Sequence, residues 1–147
     1  MKNTETVSGS CLCGQVRFTA SSGVHVMSNC HCSMCRKFSG SAYLTFARTD
    51  VRGFRWVQGE VHIRNFESSP GCIRSFCGHC GSPVPVVRPG LENALIPAGT
   101  LDDDPGVRPS FHIFSSSKAP WSHITDNLPE YDRWPDESIE EIGKRAV

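Results

Sequence analysis

Short alternating runs of apolar and polar residues dominate this chain. In Gln15-Val16-Arg17-Phe18-Thr19-Ala20, the side chains of Val16, Phe18 and Ala20 share one face, and Gly14 turns the chain just before them. Comparable strand-like runs are Ala42 to Phe46, Val61 to Phe66, Ile73 to Phe76, Val84 to Val87 and Phe111 to Phe114. Clusters of Ser, Pro and Gly separate them, as at Ser68-Ser69-Pro70-Gly71, Pro89-Gly90 and Asp104-Pro105-Gly106, where turns are expected. No window of fifteen residues carries a clean helical stripe, and only the acidic piece Asp136 to Lys144 reads as a helix. The pattern therefore predicts a mainly β domain. It shows no linker, repeat or low-complexity segment, so a single domain over residues 1–147 is expected, with its core at about 8–134 and a short C-terminal tail.

Composition narrows the class. The 147 residues are 38% hydrophobic and 20% charged, as in ordinary globular proteins. No apolar run is long enough for a membrane-spanning helix, and the first six residues have no leader-like apolar stretch. A cytoplasmic location without membrane contact is the expectation. Net charge is zero, but residues 1–100 carry ten Lys or Arg against five acids and residues 101–147 the reverse. A neutral chain argues against nucleic-acid binding. The uneven halves fit a self-complementary fold, or a basic half that meets an anionic ligand.

The eight cysteines change the picture most. Seven fall in tight clusters: Cys11 and Cys13; Cys30, Cys32 and Cys35; Cys77 and Cys80. Thiols two or three residues apart on one turn can face a common centre, as zinc requires, whereas a disulfide framework scatters its cysteines. The outer pairs could complete a four-thiolate site. The central trio offers three thiolates and no obvious fourth; it is either an open zinc site of the catalytic kind or a structural one closed by Cys72, His31 or His79.

Several runs resemble the glutathione-dependent formaldehyde-activating (Gfa-like) family. They are Gly9 to Gly14 with Val16 and Phe18; Cys30 to Lys37; Arg74 to Ser82; Ala98 to Asp102; and Pro109, His112 to Phe114, Lys118, Trp121 and Asp126 to Pro129. The resemblance implies an Mss4-like fold of antiparallel β-sheets with two zinc ions. Cys11, Cys13, Cys77 and Cys80 would hold a structural zinc, and Cys30, Cys32 and Cys35 a second, more exposed and catalytic one. Cys72 matches no ligand and reads as a buried apolar thiol, with a redox-active thiol as the alternative. The implied activity is that of a carbon–sulfur lyase joining a thiol such as glutathione to formaldehyde. A non-catalytic zinc module that recognises a protein partner is the alternative.

Other residues join as candidates. Arg36, Lys37 and Arg74 are placed to meet substrate carboxylates. His31, between two thiols, is a candidate proton carrier. Phe46, Trp56 and Trp121 read as core rather than as a ligand platform.

Overall fold

The computed structural model describes residues 5–145; residues 1–4, on which most of the N-terminal reading rests, and residues 146–147 fall outside it. Strands β1 (Val7–Ser10), β2 (Arg17–Ala20) and β3 (Val26–Cys30) lead into helix α1 (Ser33–Ser39). Strands β4 (Leu44–Asp50), β5 (Phe54–Gln58), β6 (Ile63–Ser69), β7 (Cys72–Cys77), β8 (Asn93–Pro97) and β9 (Pro109–Ile113) follow, and helix α2 (Ile139–Arg145) closes the described chain. The architecture is mainly β, as expected. Three sheets form, in the orders β1-β2-β5, β8-β4-β3-β9 and β6-β7. Every pairing is antiparallel except β3 with β9, which run parallel.

The first sheet packs its apolar face on the second. Phe18, Ala20 and Phe54 meet Met27, Ala47, Ala94 and Ile96, with the Phe18 and Phe54 rings stacked at 5.6 Å. A second cluster on the other side of β3 joins Val26, Leu44, Phe111 and Ile142, and takes in Cys30 and Cys35. Strand β3 is thus covered on both faces, and all five of its residues are buried. Double coverage removes the alternation that marks a half-exposed strand. Val26-Met27-Ser28-Asn29-Cys30 accordingly gives no strand signal in the sequence.

Three expectations shift. The run Val84 to Val87 is no regular strand: Pro83 and Pro85 interrupt the ladder, leaving the isolated bridges Phe76 to Pro83 and Val86 to Leu95. Helix α1 was not expected, because seven residues are too few to show a helical period. It is set instead by its ends. Cys32 Sγ accepts from the Cys35 N–H at 3.3 Å, and Gly40, at φ 69°, donates to the Arg36 carbonyl at 2.8 Å. The acidic tail helix begins at Ile139, three residues later than expected. Among the described residues, no helix is long and apolar enough to cross a membrane.

Gly59 turns the chain after β5 at φ 79°, and a Cβ there would lie 2.0 Å from the Gln15 carbonyl oxygen. Gly59→Ala combines left-handed strain with a backbone clash, so we expect a loss of at least about 2 kcal/mol. The midpoint of denaturant unfolding, compared with wild type, checks this.

Candidate metal centres

Two cysteine turns meet at the end of the β6-β7 hairpin. Cys11 and Cys13 lie in the turn after β1, closed by the Gly14 N–H donating to the Cys11 carbonyl at 3.0 Å. Cys77 ends β7, and Cys80 follows in a turn closed by the Gly81 N–H donating to the Cys77 carbonyl at 2.8 Å. Both glycines take positive φ, 78° and 77°. The four sulfurs lie within 4.8 Å of one another, with Cys11 to Cys13 at 3.6 Å and Cys13 to Cys77 at 3.9 Å. A tetrahedron with zinc–sulfur bonds of about 2.3 Å has edges of roughly 3.8 Å. A disulfide would need about 2.05 Å. The donor set and its spacing fit a four-thiolate metal site.

The central trio sits where a sheet meets a helix. Cys30 ends β3, Cys32 caps α1 and Cys35 lies in its first turn, and the three sulfurs also lie within 4.8 Å of one another. Hydrogen bonds with Cys30 and Cys35 drive the Cys32 thiol far below its ordinary range, while the same contacts push Cys30 up. Three thiolates this close need a cation to ionise together, so the trio also fits a metal. Among the described residues no fourth Cys, His, Asp or Glu joins the trio's grouping. The Arg74 Nη1 donates to Cys35 Sγ at 3.2 Å, its Nε donates to Ser68 Oγ at 3.1 Å, and its guanidinium lies 5.9 Å from the centre of the Phe38 ring.

The trio opens on a cavity of about 300 Å³. One face of the four-stranded sheet forms a wall, through Ser28 and Cys30 of β3, Phe46 and Arg48 of β4, and Leu95 and Pro97 of β8. The Val84 to Arg88 segment, bridged to Leu95 through Val86, continues this wall, and strand β7 supplies another.

His31 faces away from this space. It is fully buried, its Nε2 lies 2.8 Å from His112 Nδ1, and His112 Nε2 lies 3.0 Å from Asp126 Oδ2. A carboxylate accepts, so His112 donates from Nε2 and His31 donates to its bare Nδ1. Burial, and then repulsion from His112, lower the His31 pKa to about 4. The imidazole is therefore a neutral strut between β3 and the Asp126 loop, and its Nδ1 is buried without a partner.

The other sequence candidates scatter. Arg74 lines the cavity, whereas Arg36 turns its Nε to the His31 carbonyl at 3.4 Å and Lys37 is exposed; neither lines it. Cys72 is half-buried and lines the cavity, so it is not the core thiol expected. Phe46 is a cavity wall, Trp56 packs on the core, and Trp121 is 69% exposed. Arg48 and Arg88 were missed; nothing in their local sequence separates them from solvated arginines.

The comparisons converge. The family model described as glutathione-dependent formaldehyde-activating enzyme matches residues 6–117. A Halomonas elongata protein, provisionally named a glutathione-dependent formaldehyde-activating enzyme, is 32% identical over 93% of this chain and 94% of its own. An uncharacterised lyase of Schizosaccharomyces pombe is 30% identical over 52% of this chain and 53% of its own. A Rhodobacter sphaeroides protein of known crystal structure shares the fold at a TM-score of 0.51 and 23% identity, over 69% of this chain and 91% of that one.

The two sulfur sets should behave differently when cut. Cys77→Ser should unfold the chain or cause it to aggregate, because the metal's binding energy there is folding energy. Cys32→Ser should stay folded and keep one firmly held zinc. Circular dichroism with zinc analysis of the purified variants distinguishes them; equal melting of both would make the trio structural.

Proposed function

The chain belongs to the glutathione-dependent formaldehyde-activating enzyme family, and from that premise we propose that it is a zinc-dependent carbon–sulfur lyase acting on a thiol adduct. Glutathione with formaldehyde is the pair its family name points to. Cys11, Cys13, Cys77 and Cys80 hold a structural zinc; Cys30, Cys32 and Cys35 hold the zinc of the reaction site. The observation that carries the reading is that the trio has three sulfurs, no fourth protein ligand within its grouping among the described residues, and a cavity in front of it.

In the joining direction the thiol sulfur bonds to the aldehyde carbon. The carbonyl π pair moves to oxygen, and oxygen takes up the proton that sulfur released; cleavage reverses each step. Zinc on three cysteinates carries a net charge of −1, so it supplies affinity for a thiolate sulfur rather than strong polarisation of a carbonyl. The chain's own residues do the rest. Arg74 fixes the Cys35 sulfur and adds positive charge beside it. Phe46, Ile113 and Phe114 wall the cavity against water and hold a small aldehyde beside the sulfur. The hydrogen-bonded His31–His112–Asp126 chain keeps the Cys30 to Cys32 turn in place.

The rival reading, a zinc module that only recognises a protein, would be better served by a closed second site than by one facing a cavity. Binding data separate the two. Glutathione should bind zinc-loaded protein more tightly as pH rises, by up to about tenfold per unit below its thiol pKa, since a proton leaves on binding. S-methylglutathione keeps the charges but cannot ionise at sulfur, and should bind much more weakly. Calorimetry at several pH values gives both affinities; equal values throughout would move the rival ahead.

A further inference from the structure

The cavity is largely apolar, and beyond the cysteine trio its charged side chains are all arginines. Arg48, Arg74 and Arg88 line it, and among the described residues no Asp or Glu does. Arg74 is committed to Cys35 and Ser68 at the sulfur end. Arg48 and Arg88 lie at the other end. Cys30 pairs with Leu44 and Val26 with Arg48, so Arg48 is four residues along β4 from the trio's row, roughly 13 Å at the backbone. Leu95 bridges both Arg48 and Val86, and Arg88 is two residues beyond Val86. Phe46, Leu95 and Val86 occupy the wall between the two ends.

Both distal guanidinium groups are incompletely satisfied. The Nε atoms of Arg48 and Arg88 are buried with no hydrogen-bond partner. Arg88 also donates from Nη1 to the Gly71 carbonyl, which holds it against the β6-β7 turn. Arg48 has Glu140 of α2 as its nearby opposite charge, and Glu140 is itself engaged by Asn93 Nδ2 at 3.3 Å. A buried donor without a partner is costly, and a fork of N–H groups matches a carboxylate's two oxygens.

We infer that Arg48 and Arg88 form a carboxylate subsite, so that the preferred thiol carries sulfur at one end, an apolar body and a carboxylate at the other. The sulfur end rests on the reading of the trio given above; the carboxylate end does not. For glutathione, the glycyl carboxylate is the part this subsite fits. Its ammonium finds no acidic wall group, so the γ-glutamyl arm is left at the mouth.

The test uses zinc-loaded protein and four probes: 6-mercaptohexanoate, its primary amide, hexanoate and hexanamide. Affinities come from calorimetry, and from NMR titration for the weaker pair. Each acid should bind roughly tenfold or more tightly than its amide. Arg48→Met and Arg88→Met should each shrink that ratio towards one while leaving the amide's affinity in place. Arg108→Met, on an exposed loop and paired with Asp104, should keep it. Equal binding of acid and amide to the unaltered protein, a ratio that survives both cavity substitutions, or no binding of either acid would overturn the inference. The acid–amide comparison in unaltered protein stands even if a variant fails to fold. An intact acid preference with no gain from the thiol over hexanoate would uphold the subsite and defeat the sulfur role of the trio.

Discussion

The convergence of Cys11 and Cys13 on Cys77 and Cys80 is the constraint from which the rest of the structure follows. The β6-β7 hairpin is a two-stranded sheet of its own, and such ribbons are barely stable alone. Tying residue 11 to residue 77 closes a loop of about 67 residues. By the chain-entropy estimate for a covalent cross-link of that length, this removes about 4 kcal/mol of freedom from the unfolded chain. The small cluster of Cys11, Val16, Cys77 and Val84 packs around the junction. Once the hairpin is held, β7 faces the four-stranded sheet. Arg74 then reaches Cys35, and the space between becomes a cavity.

The same side chain performs two tasks here because its surroundings differ. The outer thiols come from two turns that face one another and supply four sulfurs, a full tetrahedral set. The trio comes from six consecutive residues, and all three of its cysteines line the cavity. Strand β3 makes this arrangement rigid. It is buried on both faces, ends in Cys30 and is followed at once by the His31 strut. An arginine beside the trio, rather than an acid, keeps the region receptive to anions.

Spacing within a few residues was legible; pairing across the chain was not. The cysteine turns could be read as ligand sets because two or three residues are enough to define them, and strands such as β2 announced themselves by alternation. Which sets combined came from the family resemblance. Strand β3 was silent because it has no solvent face, β1 because Gly9 is needed where a Cβ would sit 2.2 Å from the Phe18 ring, and α1 because it is shorter than two helical periods. The cavity walls come from segments far apart in sequence, and only the fold assembles them. Arg48 and Arg88 therefore stayed invisible, while Arg36 and Lys37, adjacent to the trio in sequence, drew attention and proved to lie outside it. His31, a candidate proton carrier by its position between two ligands, instead faces His112, as the neighbour of a ligand in a tight turn often does.

The central claim is that one metal is closed by four cysteines and the other by three with a place for sulfur. X-ray absorption at the zinc edge of the two-zinc protein counts those sulfurs directly. Without ligand the mean should be about 3.5 sulfurs per zinc at about 2.3 Å, with a light-atom shell near 2.0 Å. Adding glutathione should raise the mean to about four and remove the light-atom shell. A mean of four before any thiol is added, or a spectrum that glutathione leaves unchanged, would contradict the account.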